Sequence, residues 1–201
     1  LQTTLDDHAV RLAATVATRL CHDVAGLLGI LAGTLDLADE DPEAKLLAAE
    51  TAQTLMTRVR LLRAAWGGDA GAMDAGAIDA LAAGIPGIER LRLDFSGLSE
   101  ALAETPARLL LCLLLAAAPG LSRGTLLSFG PMPHGGVRIS IAGSTAAWPA
   151  LLVACASGES GLREAATSAR DVAMPFAYLL ARDLGWLIRP EENTVMVIQR
   201  P

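Results

Sequence analysis

His22 and Asp23 stand side by side in "RLCHDVAGLLGILAGTLDL" (residues 19–37), and Gly26, Gly29 and Gly33 follow them. Imidazole is a nucleophile near neutral pH because one ring nitrogen keeps its lone pair, and a neighbouring carboxylate can hold the ring or assist its proton. Phosphoryl transfer asks mainly for positioning and charge stabilisation, so a solvent-facing His beside a carboxylate meets its minimum. The segment reads as helix, and in a helix residues at i, i+4, i+7 and i+11 share a face. His22, Gly26, Gly29 and Gly33 have that spacing, so the imidazole heads a stripe without side chains. Each glycine costs up to about 1 kcal/mol relative to alanine in a helix. Close approach of another surface is one use for the stripe, and tight packing against the helix's own partner is the other. The two differ in whether the stripe faces solvent.

Two helices are needed to position this pair. Residues 6–39 lack proline, and Leu20, Val24, Leu27 and Leu31 alternate steps of four and three. Asp41 is a cap candidate and Pro42 suits a first helical position, which predicts a second helix from Pro42 to Trp66. Its expected stripe is Ala44, Ala48, Thr51, Leu55, Val59, Leu62 and Trp66. The short connection makes the helices antiparallel neighbours. Leu28, Leu35, Leu47 and Leu61 widen the apolar surface beyond one seam, and a second copy of the hairpin would cover it as a dimeric four-helix bundle. A chain reversal near residues 40–41 sets His22 level with about Val59. Arg58, Arg60 and Arg63 then fall in its neighbourhood, with Arg19 one turn away. These arginines read either as contacts to an acidic or phosphorylated partner or as a solvated helix face.

The net charge of −6 argues against nucleic acid as a main partner. The aromatic share is 3% within a hydrophobic share of 52%, so the core must be built from Leu, Ala and Val. Cys21, Cys112 and Cys155 offer neither a disulfide framework nor a zinc spacing. The first residues show no basic-then-apolar signal pattern, and the apolar run Leu109–Ala118 is short for a membrane span, so a cytoplasmic protein without a membrane segment is expected. "GGDAGAMDAG" (67–76) reads as a linker. It divides a hairpin domain, 1–68, from an α/β domain, 75–201. In the second domain strands are expected at 90–95, 124–130, 136–143, 186–190 and 194–200. Helices are expected from Thr105–Pro106 to residue 121, within 146–158, and from 169 to Gly185.

The pieces "RLCHDVAGLLGILAGTLDL", the hairpin through "LLRAAWG", and "ARDVAMPFAYLLARDLG" together resemble ChpT-type histidine phosphotransferases of alphaproteobacteria, in the same order along nearly the whole chain. Leu27 stands where that family often has proline. The resemblance implies an α+β protein whose hairpins pair in a homodimeric bundle. It also implies a C-terminal domain shaped like a degenerate histidine-kinase ATPase domain. His22 would accept a phosphoryl group from the receiver domain of a hybrid kinase and pass it to response-regulator receivers. Asp23 would support its tautomer or proton. Gly26, Gly29 and Gly33 would clear the docking face, with Arg19, Arg58 and Arg60 as partner contacts. The chain has no metal site of its own in this reading, and magnesium would come from the receiver. ATP binding is not expected. Leu111 and Leu115 stand where a kinase has polar residues, the only asparagine is Asn193, and no aspartate lies between Asp94 and Asp171. A scaffold that binds receivers without taking phosphate and an ATP-dependent histidine kinase are the competing readings.

Overall fold

The structure is a computed structural model and describes residues 2–67, 71–158, 160, 162 and 165–201. Helices α1 (Gln2–Leu35) and α2 (Pro42–Leu62) form the hairpin. The Glu43 N–H donates to Asp41 Oδ1 at 2.8 Å, and Pro42 opens α2, where its missing N–H leaves no bond unmade. On α1 the inner stripe is Leu20, Val24, Leu27 and Leu31, each half-buried. On α2 it is Ala44, Ala48, Thr51, Arg58 and Leu62, all buried, with Leu55 half-buried. Val59, expected in that stripe, is instead 39% exposed. Strict alternation of four and three puts residue 58, not 59, after Leu55.

Beyond α2 the chain widens into a π-turn over Arg63–Gly67. Leu61, Leu62, Ala64 and Ala65 join the core of the remaining chain there. Residues 68–70 of the expected linker lie outside the described residues, as do the limits Leu1 and Gly68 of the expected first domain. Helix α3 (Ala75–Ala82) follows, capped by Asp74 Oδ1, which accepts the Ala77 N–H at 2.7 Å. The sequence gives no sign of this helix, because its Ala/Gly composition carries little periodic apolar signal.

Five strands form one sheet in the order β1-β2-β3-β5-β4: β1 (Arg92–Asp94), β2 (Leu126–Met132), β3 (Gly136–Ala142), β4 (Leu187–Glu192) and β5 (Val195–Gln199). The β1–β2 pair is parallel and the others are antiparallel. Three further helices pack over the sheet domain: α4 (Glu104–Ala117), α5 (Ala150–Ser157) and α6 (Ala173–Asp183). Alternation along the strands turns Leu127, Phe129, Val137, Ile139, Ile141, Ile188, Met196 and Ile198 into the buried layer. Arg138 and Arg189 flank Val197 on the opposite side, where Arg138 pairs with Glu191 at 2.6 Å. The result is a mixed α+β fold with six α-helices and five strands among the described residues.

Several boundaries differ from the sequence reading. Helix α4 starts at Glu104 without a side-chain cap, so Thr105 is already helical. Helix α6 starts at Ala173, after turns, and the segment ends on Gly185 at φ +71°, a left-handed conformation that glycine adopts freely. The closing hairpin turns at Asn193–Thr194. By length and composition alone Val10–Leu35 would also suffice to cross a bilayer, unlike the run at 109–118. Its middle carries Arg19, His22 and Asp23, and charges there are costly in lipid.

Candidate functional site

The His22 side chain is 86% exposed, while that of Asp23 is only 11% exposed. His22 Nδ1 lies 3.7 Å from Asp23 Oδ1, just beyond hydrogen-bond length. The other carboxylate oxygen, Oδ2, accepts a hydrogen bond from Arg19 Nε at 2.9 Å across one helical turn. Arg19 Nη1 also donates to the Arg170 carbonyl at 3.3 Å, in the turn before α6. One guanidinium therefore joins the site to the α/β domain. The same junction is packed by Leu20 against the core and by Trp66 against Phe176, whose ring centroids are 5.2 Å apart. A backbone carbonyl partner such as that of Arg170 leaves no mark in sequence.

A carboxylate facing Nδ1 favours the tautomer with its proton there. Nε2 then keeps its lone pair, on a side chain that is 86% exposed. The geometry suits attack on an electrophile brought from solution.

Gly26, Gly29 and Gly33 are all exposed. A methyl group built at any of the three meets nothing within 4 Å outside the helix's own backbone. The hairpin's own packing does not call for glycine at these positions, so the stripe faces solvent.

The arginines separate. Arg19 belongs to the site. Arg58 is 8% exposed, so it is not on the free surface where a partner contact was expected. Burial pushes its pKa down, Asp23 opposes that shift and Arg19 reinforces it. Arg60 and Arg63 line a cleft of about 440 Å³ with Met73, Ala77 and Leu81, against α3. In the α/β domain, Leu111 and Leu115 are buried within an α4 that is apolar almost throughout.

The family model for the histidine phosphotransferase C-terminal domain matches residues 75–193. The chain belongs to the histidine phosphotransferases. A solved bacterial phosphotransferase is similar over 95% of this chain and 97% of its own, at 24% identity and a TM-score of 0.74. The histidine kinase domain of the Erythrobacter litoralis EL346 blue-light activated histidine kinase aligns over 89% of this chain and 93% of its own. Its identity is 15% and its TM-score 0.41, too distant to support an argument. No curated protein matches the chain. The family match runs from α3 through β4 and stops short of β5, and the solved bacterial phosphotransferase shares the fold of the hairpin as well. Both agree with the ChpT-type resemblance, and a phosphorelay role follows from membership of the family.

Proposed function

We propose that this histidine phosphotransferase carries a phosphoryl group on His22 between receiver domains. The reading rests on one observation: an exposed imidazole with Nδ1 turned to a pinned carboxylate, beside a face cleared of side chains. In the transfer, His22 Nε2 forms an N–P bond while the O–P bond of a receiver's aspartyl phosphate breaks. The aspartate leaves with the bonding pair. The Nδ1 proton stays on the ring, and Asp23 stabilises the positive charge that develops there. Passing the group onward reverses these steps. The receiver's acidic cluster would bring its own magnesium. Receiver domains of a hybrid kinase and of response regulators are the partners, in the cytoplasm.

Mixing the chain with phosphorylated receiver domains tests the reading. The expected product is an acid-labile, alkali-stable phosphate mapped to His22 by mass spectrometry. Receiver binding without such a phosphate would favour the scaffold reading instead.

The chain acts as a homodimer in this proposal. Of the residues expected to widen the apolar surface, Leu28 (47% exposed), Leu35 (57%) and Leu47 (47%) lie open, whereas Leu61 is fully buried in the chain's own core and is not available to a second copy. Cys21, Leu28 and Leu35 recur every seven residues, a spacing that suits a bundle seam. Light scattering is expected to give twice the 20.8 kDa chain mass. The pair Leu28→Asp and Leu35→Asp should weaken the dimer at least about a hundredfold, because each copy would bury two unpaired charges. An unchanged mass at low micromolar concentration would refute this interface.

The α/β domain carries no ATP in the same reading. Leu111 and Leu115 give neither metal nor phosphate a polar ligand, and their burial supports that view. Calorimetric titration with ATP and magnesium should show no binding, whereas a micromolar affinity would restore the kinase reading.

A further inference from the structure

Among the described residues the carboxylate of Asp23 is the one that lies within 4 Å of the His22 ring, and the 3.7 Å gap from Nδ1 to Oδ1 is just longer than a hydrogen bond. The tautomer of the ring therefore depends on where that carboxylate is held. An i,i+4 ion pair in open solvent restrains its partners only weakly. The pair of Asp23 and Arg19 is different, because both side chains are largely buried and the arginine is held from behind. Arg19 Nε donates to Asp23 Oδ2 at 2.9 Å, while Nη1 of the same rigid fork donates to the Arg170 carbonyl at 3.3 Å, 151 positions along the chain. That carbonyl is itself fixed. The Arg170 N–H donates to Ser168 Oγ at 3.2 Å, and the Asp171 N–H donates to the Ser168 carbonyl at 3.1 Å. Val172, fully buried, then seats the start of α6. Bonded groups thus run without a break from a turn of the α/β domain to the carboxylate that faces the nucleophile.

We propose that Arg19 is a positioning residue through which the α/β domain selects the reactive tautomer of His22. The proposal rests on the reading of His22 as phosphoryl carrier. The turn at residues 168–171 holds Arg19, and Arg19 holds Asp23 Oδ2. The other carboxylate oxygen then faces Nδ1 and keeps the proton there, which leaves the lone pair on Nε2 for phosphorus. A ring released from that carboxylate carries its proton mainly on Nε2, as imidazole side chains do in water, and that tautomer cannot attack through Nε2. Arg19 acts through Asp23 and does not touch the reacting atoms. By this route the α/β domain takes part in the chemistry without a nucleotide.

The test uses the full chain, with phosphoramidate as the phosphoryl donor so that no receiver is needed. In that reaction Nε2 bonds to phosphorus, the P–N bond breaks, and ammonia leaves with the bonding pair. Arg19→Met should lower the rate of His22 phosphorylation about tenfold, the size of coupling expected within one hydrogen-bonded network. Arg19→Lys keeps a charged donor without the fork and should lose about threefold. In an Asp23→Ala background, Arg19→Met should change the rate less than about twofold. Nitrogen-15 NMR of the imidazoles at about pH 8, where such rings are neutral, adds a readout that a merely structural role would not move. His22 should carry its proton mainly on Nδ1 in the wild type and shift toward Nε2 in Arg19→Met, while His8 and His134 stay unchanged. The double variant Ser168→Ala with Arg170→Gly loosens the turn and leaves every hairpin side chain in place. It should shift the His22 tautomer in the same direction, with about a threefold loss of rate. Melting curves establish that each variant is folded, and Arg19→Ala replaces Arg19→Met if that variant does not fold. An unchanged rate or tautomer in Arg19→Met, equal losses with and without Asp23, a lysine variant as slow as methionine, or an unchanged tautomer in the turn variant would each overturn the proposal. Absence of phosphate on wild-type His22 would instead overturn the carrier reading itself.

Discussion

His22→Gln stops phosphoryl uptake, with an expected fall of more than about a thousandfold from either a phosphorylated receiver or phosphoramidate, because the nucleophile itself is removed. Glutamine is polar and close in size, and the position is 86% exposed, so the change leaves α1 and its packing intact. Circular dichroism and melting temperature should match the wild type, which separates lost chemistry from lost fold. Asp23→Asn is the informative companion. It leaves Nε2 in place but removes the charge that faces Nδ1, and the expected loss is on the order of a hundredfold. The asparagine also leaves Arg19 without its anionic partner in a half-buried setting, so a modest drop in stability accompanies it. Phosphate uptake that persists in His22→Gln would assign the carrier to another residue.

Gly29→Leu has the second largest expected effect, and a different signature. The leucine side chain enters open solvent, because a methyl group built at Gly29 meets nothing within 4 Å outside the helix backbone. Helix propensity favours the substitution by up to about 1 kcal/mol, so the variant should melt higher than the wild type. Transfer from a phosphorylated receiver should nevertheless fall by about thirtyfold or more, because the added branch holds the docking backbone away from His22. Phosphorylation by phosphoramidate, which needs no docking, should stay within about twofold of the wild type. Gly26→Ala and Gly33→Ala should raise stability in the same direction with smaller effects on transfer. Equal rates from the receiver in wild type and Gly29→Leu would show that receivers do not use this face.

The hairpin was legible because its signals agree. The alternating steps from Leu20 to Leu31, the Asp41–Pro42 start and the proline-free run all point one way, and the structure follows them. The same periodicity put His22 and the glycines on one face, but that this face is open to solvent is visible only in the structure. Arg58 shows where residue type misleads. Its position in the repeat places it in the seam, but an arginine there runs against the expectation that seams are apolar, so the apolar Val59 beside it reads as the seam residue. Helix α3 was lost for the opposite reason, since alanine and glycine leave no contrast between faces. The junction with the α/β domain depends on a main-chain carbonyl at Arg170 and on Trp66 reaching Phe176. Such contacts between residues more than a hundred positions apart are set by tertiary packing, not by local pattern.

In the proposed relay the bare lane beside His22 would also set how long a partner stays. Tight, long-lived interfaces hold on through large aromatic and arginine anchors seated in pockets. Affinity differences among related complexes reside mostly in the dissociation rate. Gly26, Gly29 and Gly33 present backbone and no anchor, so a receiver on this face meets few groups that would slow its departure. For a carrier with one nucleophile and more than one partner, short residence is an asset: each complex must dissolve before the next forms. The same absence of side chains that weakens the helix would then set the turnover of the proposed relay.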